Sequence, residues 1–305
     1  MADTDATGNA IPGFRRSKLL RTRSDTVFDV INYTVLTVIG LVTLYPFWEV
    51  LIVSISSYES YLSRNLHFVT DRIDLTAYAV IFRMPALWQA YRVTITVTVI
   101  GTALSLTLTT LTGYVLSKEY IRGRRVIMFL IVFTMLFSGG LIPLYIVVRQ
   151  TGLMNSIWAL MVPQAVQTFN LIIMRNFFFA MPESLEESAR MDGAGDLTIL
   201  VRIVLPLSMP VMSTIALFYA VALWNDFFNA VLYISDRGKW PLQLFLRAML
   251  FDSEAAQHGG RDDPFFLGQP IKMASVMVAI VPMMLVYPFF QRYFVRGIMI
   301  GAVKG

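Results

Sequence analysis

The residues able to do chemistry are few. There is no cysteine, and the two histidines, His67 and His258, lie far apart. That leaves no thiolate nucleophile, disulfide framework or histidine-based metal centre, although carboxylate sites stay open. A Gly-x-x-x-x-Gly-Lys-Ser/Thr phosphate loop, a zinc-binding helix motif and a nucleophile elbow are all missing. No catalytic residue, metal or cofactor is therefore assigned to this chain. What remains is a polar and aromatic group: Tyr219, Trp224, Asn225, Asp226 and Asn229, with Asn170 as a weaker member. Aromatic faces stack on apolar C–H surfaces, while amides and a carboxylate satisfy hydroxyls, a mixture that suits a sugar. The competing role is hydrogen bonding between helices, a common use of membrane Asn and Gln.

A second informative stretch runs from Met181 to Gly195. Ser184 and Glu187 have capping-box spacing, so each side chain is expected to satisfy an amide at the start of a helix. Pro182 stands just before that start. Gly193 and Gly195 permit a sharp exit at positive φ. The spacing predicts a rigid helix of about two turns. Leu185, Ala189 and Met191 would form its apolar surface, and Glu186, Glu187 and Arg190 its charge, a pattern that by itself equally fits an amphipathic connector at the lipid interface. A further helical stretch, Leu197–Leu205, leads to Pro206.

The elements that carry these residues are set by composition. Of 305 residues, 56% are hydrophobic and only 15% charged, and the mean hydropathy is +0.62. Soluble chains average roughly 45–50% apolar and 25% charged, so neither a soluble globule nor a disordered chain fits. Six stretches free of Asp, Glu, Lys and Arg reach membrane-spanning length: Val30–Trp48, Val93–Ser117, Val126–Val148, Gln150–Met174, Ile203–Asn225 and Met273–Gln291. Arg149 alone separates the third and fourth, which read as two helices joined by a short loop. The third carries Ser138-Gly139-Gly140 and Pro143. These mark a bend that serves as a gate, or a packing notch, the notch being favoured.

Charge placement orients the spans. With alternating spans, 15 of the 25 Lys and Arg residues share one side. They lie in the N-terminal tail, after the second span, after the fourth and at the C-terminus. By the positive-inside rule both termini are cytoplasmic. The net charge of +5 is thus a topology signal, and no nucleic-acid partner is implied. The expected organisation is a cytoplasmic tail (1–26), a six-helix transmembrane domain (27–292) and a cytoplasmic tail (293–305). The domain holds an inward segment (182–206) and an outward loop (235–270). Residues 1–13 are expected to be disordered.

The pattern Glu187-Ser188-Ala189, then Gly193, then Ile203-x-Leu205-Pro206 resembles the "EAA" loop of ABC-importer permeases, with Ser188 replacing the first Ala. Further segments extend the likeness over most of the chain: Phe137–Pro143, Asn170–Arg175, Trp224–Asn229 and Gly301–Gly305. They are similar to carbohydrate importer permeases of the maltose-importer G-type group, and more so to permeases for complex polysaccharide fragments. The resemblance implies an all-α polytopic fold of the type I permease kind, in the bacterial inner membrane. It implies a homologous second permease, a dimer of cytoplasmic ATP-binding subunits that hold ATP and Mg, and an extracytoplasmic solute-binding protein. Ser184, Leu185, Glu186, Glu187, Ala189, Arg190, Met191, Asp192 and Gly193 would then couple ATPase closure to the spans. Tyr219, Trp224, Asn225, Asp226, Asn229 and Asn170 would line the substrate pathway. The implied cargo is an oligosaccharide, an acidic fragment of the alginate or pectin type or a neutral maltose-like one. A secondary transporter is the remaining alternative.

Overall fold

The computed structural model describes residues 23–63, 67–249 and 268–302, with side chains over the same spans except 23–26, 286–287 and 289–302. His258, the expected tail 1–13 and most of the loop 235–270 lie outside the described residues, as do the side chains of Gly301–Gly305. The chain divides into two units, residues 1–50 and 51–305. Most of the first helix, α1 (Arg23–Ser54), lies in the first unit. Its Thr34 and Thr43 hydroxyls donate to the carbonyls four residues back, Val30 O and Ile39 O, each at 2.7 Å. This back-bonding lets a hydroxyl sit in an apolar helix without an outside partner.

Among its described residues the second unit has helices joined by turns and irregular stretches, and its β-pairing is one isolated bridge between Ser56 and Ile73. Its elements are α2 (Tyr58–Leu62), α3 (Thr76–Arg83), α4 (Pro85–Ser117), α5 (Arg124–Leu136), α6 (Leu141–Gln150), α7 (Trp158–Met161) and α8 (Thr168–Phe179). There follow α9 (Glu183–Met191), α10 (Asp196–Ile199), a π-helical turn (Leu200–Val204), α11 (Leu205–Leu207), α12 (Met209–Trp224) and α13 (Phe228–Tyr233). Helix α14 is described over 242–249, and α15 (Gly268–Ala302) ends the chain.

Three of the six uncharged runs form long helices: α1, α4 and α15 each hold a stretch long and apolar enough to cross a membrane. Two more are bent pairs. The third run breaks between α5 and α6 with a turn of 116°, and the fifth breaks between α11 and α12 with a turn of 81°. Gly140 makes the first break, at φ 87° and ψ 178°, a region open essentially to glycine alone. A Cβ on Gly140 would meet nothing within 4 Å, and one on Gly139 only Pro143. Among the described residues of the second unit the glycine pair forms a bend, and only Pro143 lies near it. Pro206 was expected to open the fifth span. Instead it sits inside α11, and α12 starts after Ser208, with Pro210 in its first turn.

The fourth run departs furthest from expectation. Gln150–Met174 is not one helix. It passes through a turn at Gly152 (φ 72°) and Asn155 (φ 57°), forms the short α7, and breaks over 162–167 before α8 begins. Pro163 stands at the break, where its missing N–H cannot continue the helix.

Helix α4 is the axis of the unit. It packs along both α12 and α8, while α15 packs on α12 and α3. Lipid tails are as apolar as leucine, so close approach and polar contacts hold membrane helices together. The buried face of α4 meets that requirement with Gly101, Ser105, Thr109 and Gly113, one per helical turn. A Cβ on Gly101 would lie 2.7 Å from Leu223 Cδ1, and one on Gly113 would lie 3.2 Å from Met174 Cγ.

The two ends of α4 collect different loops. At its Pro85 end, Gln89 Nε2 donates to Gly238 O (2.7 Å). There Asn155 Oδ1 accepts from Asp236 N (2.9 Å), and Lys239 Nζ donates to Asn155 O (2.9 Å). At its Ser117 end, Lys118 pairs with Glu186, and Arg190 lies over the Tyr120 ring. The segments expected on one side of the membrane thus gather at one end, and those expected on the other side at the opposite end.

Candidate functional site

The segment between α8 and α12 is built around α9. Its first residue is Glu183, and its N-cap is Pro182, with no side-chain cap. The expected Ser184–Glu187 capping box does not form. The helix begins two residues early, so Ser184 lies inside it, and its carbonyl accepts from the Ser188 hydroxyl at 2.8 Å. Glu187 is exposed, and among the described residues it has no hydrogen-bond partner.

The exit follows the expected geometry at Gly193. Its φ is 82°. The Ala194 amide donates to Ala189 O (2.9 Å) and the Gly193 amide to Arg190 O (3.0 Å). This is a Schellman motif, which satisfies the last carbonyls and turns the chain sharply. Asp192 is the C-cap residue that leads into it. Gly195, also expected at positive φ, has φ −77° and N-caps α10. The stretch expected as one helix from Leu197 to Leu205 is α10, then the π-turn, then α11. The π-turn closes where the Leu205 amide reaches back to Leu200 O.

Two sides of α9 have different roles. Ala189 is buried against Tyr114, Met174, Phe178 and Ile199, so it anchors the helix to the bundle and is not part of an outward knob. Leu185 and Met191 face outward, with Met191 88% exposed, and Leu197 beyond the turn is 72% exposed. Apolar side chains displayed on a charged segment suit contact with a protein or with a membrane surface. Electrostatics fix the helix from beside it. Arg190 Nη2 pairs with Asp196 Oδ1 at 2.8 Å. The Tyr120 side chain and Asp196 together raise the Arg190 guanidinium above its ordinary value. Lys118 bonds Glu186 and lies 4.3 Å from the centre of the Tyr114 ring. A groove of about 610 Å³ runs beside these groups, lined by Lys118, Tyr120, Glu183, Glu186, Glu187 and Arg190.

The expected pathway residues separate into two groups. Trp224 is buried in the core with Ile81, Leu87, Leu242 and Ile271, and its Nε1 donates to Ala279 O at 3.4 Å. Tyr219 is 1% exposed; its hydroxyl shares a hydrogen bond with Thr109 Oγ1 (2.7 Å) and accepts from Gln167 N (3.0 Å). Asn170 is equally buried and donates to Gln167 Oε1 (3.3 Å). Trp224 and Tyr219 thus bind helix to helix, the role of interior polar groups in membrane bundles, while the Asn170 bond is local to the start of its own helix.

Asn225, Asp226 and Asn229 form the open group, where α12 stops and α13 begins. Asn225 is exposed, and its Nδ2 donates to Val221 O at 2.9 Å. Asp226 is half-buried and accepts from Asn229 N (3.2 Å) and Asn229 Nδ2 (3.0 and 3.1 Å). It also accepts from Gln164 Nε2 at 2.8 Å. Gln243 Nε2 reaches Asn225 Oδ1 at 3.5 Å, and the Arg247 guanidinium sits 4.1 Å from the centre of the Phe227 ring. Gln164, Gln167, Gln243 and Arg247 were not singled out from the sequence. The available signal was two glutamines beside a proline inside an uncharged run. Irregular backbone at membrane depth occurs only where protein buries it or where it lines a water-filled cavity. Here two such breaks, 162–167 and 225–227, meet through Gln164 and Asp226.

A bundle of broken and bent membrane helices, hung from a rigid polar connector between two of them, defines a multi-pass transport permease. The model of the "Binding-protein-dependent transport system inner membrane component" family matches residues 10–300, and the chain belongs to that family of inner-membrane ABC permeases. It is 44% identical to the "Polygalacturonan/rhamnogalacturonan transport system permease protein YtcP" of Bacillus subtilis (strain 168) over 284 residues, 92% of this chain and 99% of that one. It is 42% identical to "Protein LplC" of the same organism, over 93% of this chain and 97% of that one. One solved structure is a "bacterial ABC transporter involved in the import of the acidic polysaccharide alginate". It superposes with a TM-score of 0.82 at 35% identity, covering 90% of this chain and 98% of that one.

Proposed function

We propose that this chain is the transmembrane permease subunit of an ATP-driven importer that passes oligosaccharide fragments, acidic ones included, into the cytoplasm. The observation that carries the reading is continuity of the coupling segment. Helix α9, with Leu185 and Met191 displayed outward, is joined to α8 by a short turn and to α12 by way of α10, the π-turn and α11. An ATPase subunit gripping α9 thereby moves the two helices whose far ends carry the polar breaks. The reading includes six membrane crossings, with the bent pairs and the broken fourth run counted as spans, and both termini cytoplasmic. ATP and Mg are held by a pair of partner subunits, a second permease completes the pathway, and an extracytoplasmic binding protein delivers the sugar. Asn225, Asp226 and Asn229 are its candidate contacts.

The acidic cargo is supported by the relative for polygalacturonan and the structural neighbour for alginate, and by Arg247, the cation stacked beside the open polar group. The test is uptake of oligogalacturonate and of alginate oligosaccharide by the reconstituted importer. Uptake that needs ATP and the binding protein is the expected result; uptake driven by an ion gradient without ATP would make the chain a secondary transporter. Arg247→Ala is expected to weaken uptake of the charged probes at least about tenfold while a neutral maltooligosaccharide is unaffected. Equal effects on charged and neutral probes would favour a neutral cargo.

A further inference from the structure

Helices α8 and α12 leave opposite ends of the same coupling segment. At 1.5 Å per residue they rise about 18 and 24 Å, both short of a bilayer core about 30 Å thick. Beyond those distances each gives way to a break, and the first break is tied twice, once to α12 itself and once to the second break. Gln167 N donates to Tyr219 Oη, and Gln164 Nε2 donates to Asp226 Oδ2. The ties differ in accessibility. Tyr219 and Asn170 are buried, so the Gln167 tie is internal. Gln164, Asp226 and Asn229 are each half-buried, so their tie is not sealed in the core as the Gln167 tie is.

The chemistry at the open tie is specific. Asp226 accepts N–H groups from Gln164 and Asn229, and an ionised carboxylate accepts only. Gln164 Oε1 has no hydrogen-bond partner among the described residues, so the carboxamide brings both an acceptor and donors. Adjacent sugar hydroxyls each donate and accept, and they match a carboxylate beside a carboxamide. A second carboxylate does not, because like charges at close range repel where water is scarce.

We propose that Gln164 joins Asp226 and Asn229 in a site for the vicinal hydroxyls of a pyranose ring in transit, and that the sugar replaces the Gln164–Asp226 hydrogen bond. The inference rests on the transport reading above. It assigns the ring hydroxyls to this position and leaves the carboxylate of an acidic sugar to another. While the site is empty, the bond holds the far ends of α8 and α12 together. When a sugar occupies it, that tie opens, and the change reaches α9 from α8 across a short turn and from α12 by way of α11, the π-turn and α10.

The test uses the importer reconstituted in vesicles with its ATPase subunits and binding protein, with oligogalacturonate as probe. Gln164→Ala is expected to raise the KM for uptake about tenfold with kcat nearly unchanged. Gln164→Glu sets a carboxylate against Asp226, and ATP hydrolysis without sugar is expected to rise several-fold. If Gln164→Ala does not assemble, Gln164→Asn keeps the carboxamide out of reach of Asp226 and carries the same KM expectation. Assembled complexes with unaltered KM and unaltered sugar-independent hydrolysis would overturn the proposal. If Asp226→Ala abolishes uptake while the Gln164 variants transport normally, only the role of Gln164 fails. If neither position affects uptake, the pathway reading itself fails.

Discussion

At the residue scale, similar-looking polar and aromatic side chains do different work, and burial separates them. Trp224 fills the core between α12, α14 and α15. Trp224→Ala is expected to cost about 3–5 kcal/mol of stability, read as less folded protein in detergent, with the KM of the surviving fraction unchanged. Its neighbours Asn225, exposed, and Asp226, half-buried, are the proposed sugar contacts. Their joint replacement by alanine should impair sugar-dependent uptake and leave assembly with the ATPase subunits intact. Gly193 belongs to a third kind. Any L side chain at its φ of 82° costs about 1–2 kcal/mol and competes with the Schellman turn. Gly193→Val is expected to lower ATPase co-purification and uptake together, and wild-type values for both would remove the coupling role from this turn.

At the element scale, the breaks are placed by residues that cannot continue a helix, and the continuous helix is placed by residues that allow close approach. Gly140 occupies a conformation that alanine resists. Gly140→Ala should shift the α5–α6 bend and reduce uptake, with the chain still inserted in the membrane. Helix α4 shows the opposite logic. Gly101 is in contact range of Leu223 and Met161, so Gly101→Leu would overpack the α4–α12 contact. The expected loss is about 1–3 kcal/mol, measured as a lower midpoint for thermal unfolding in detergent. The stripe of Gly101, Ser105, Thr109 and Gly113 is visible in the sequence as small residues four apart. Its meaning was not, because a helix surrounded by lipid and one surrounded by helices carry the same apolar average.

At the scale of the whole molecule, the loops sort to the two ends of α4. Gln89, Asn155 and Gly238 meet at one end, and Lys118, Glu186 and Arg190 at the other. The lack of cysteine makes this testable without background. Single cysteines at Arg237 and at Tyr120 should react with an impermeant thiol reagent from opposite faces of the membrane. Labelling of both from one face would overturn the assigned sidedness.

Membrane residence, the apolar runs, the connector helix with its turn at Gly193 and the polar group around Asp226 were all legible in the residues alone. Each depends on local chemistry: an uncharged run of sufficient length, a glycine at positive φ, an ionisable residue near the end of a span. The sequence did not reveal that Ala189 turns inward, that Trp224 and Tyr219 are core residues, or that Gln150–Met174 is broken. Nor did it bring Gln164 to Asp226 from 62 residues away. Those outcomes depend on which helix faces which. In a bilayer that choice is made by close fit and paired polar groups, and hydrophobicity along the chain does not report either.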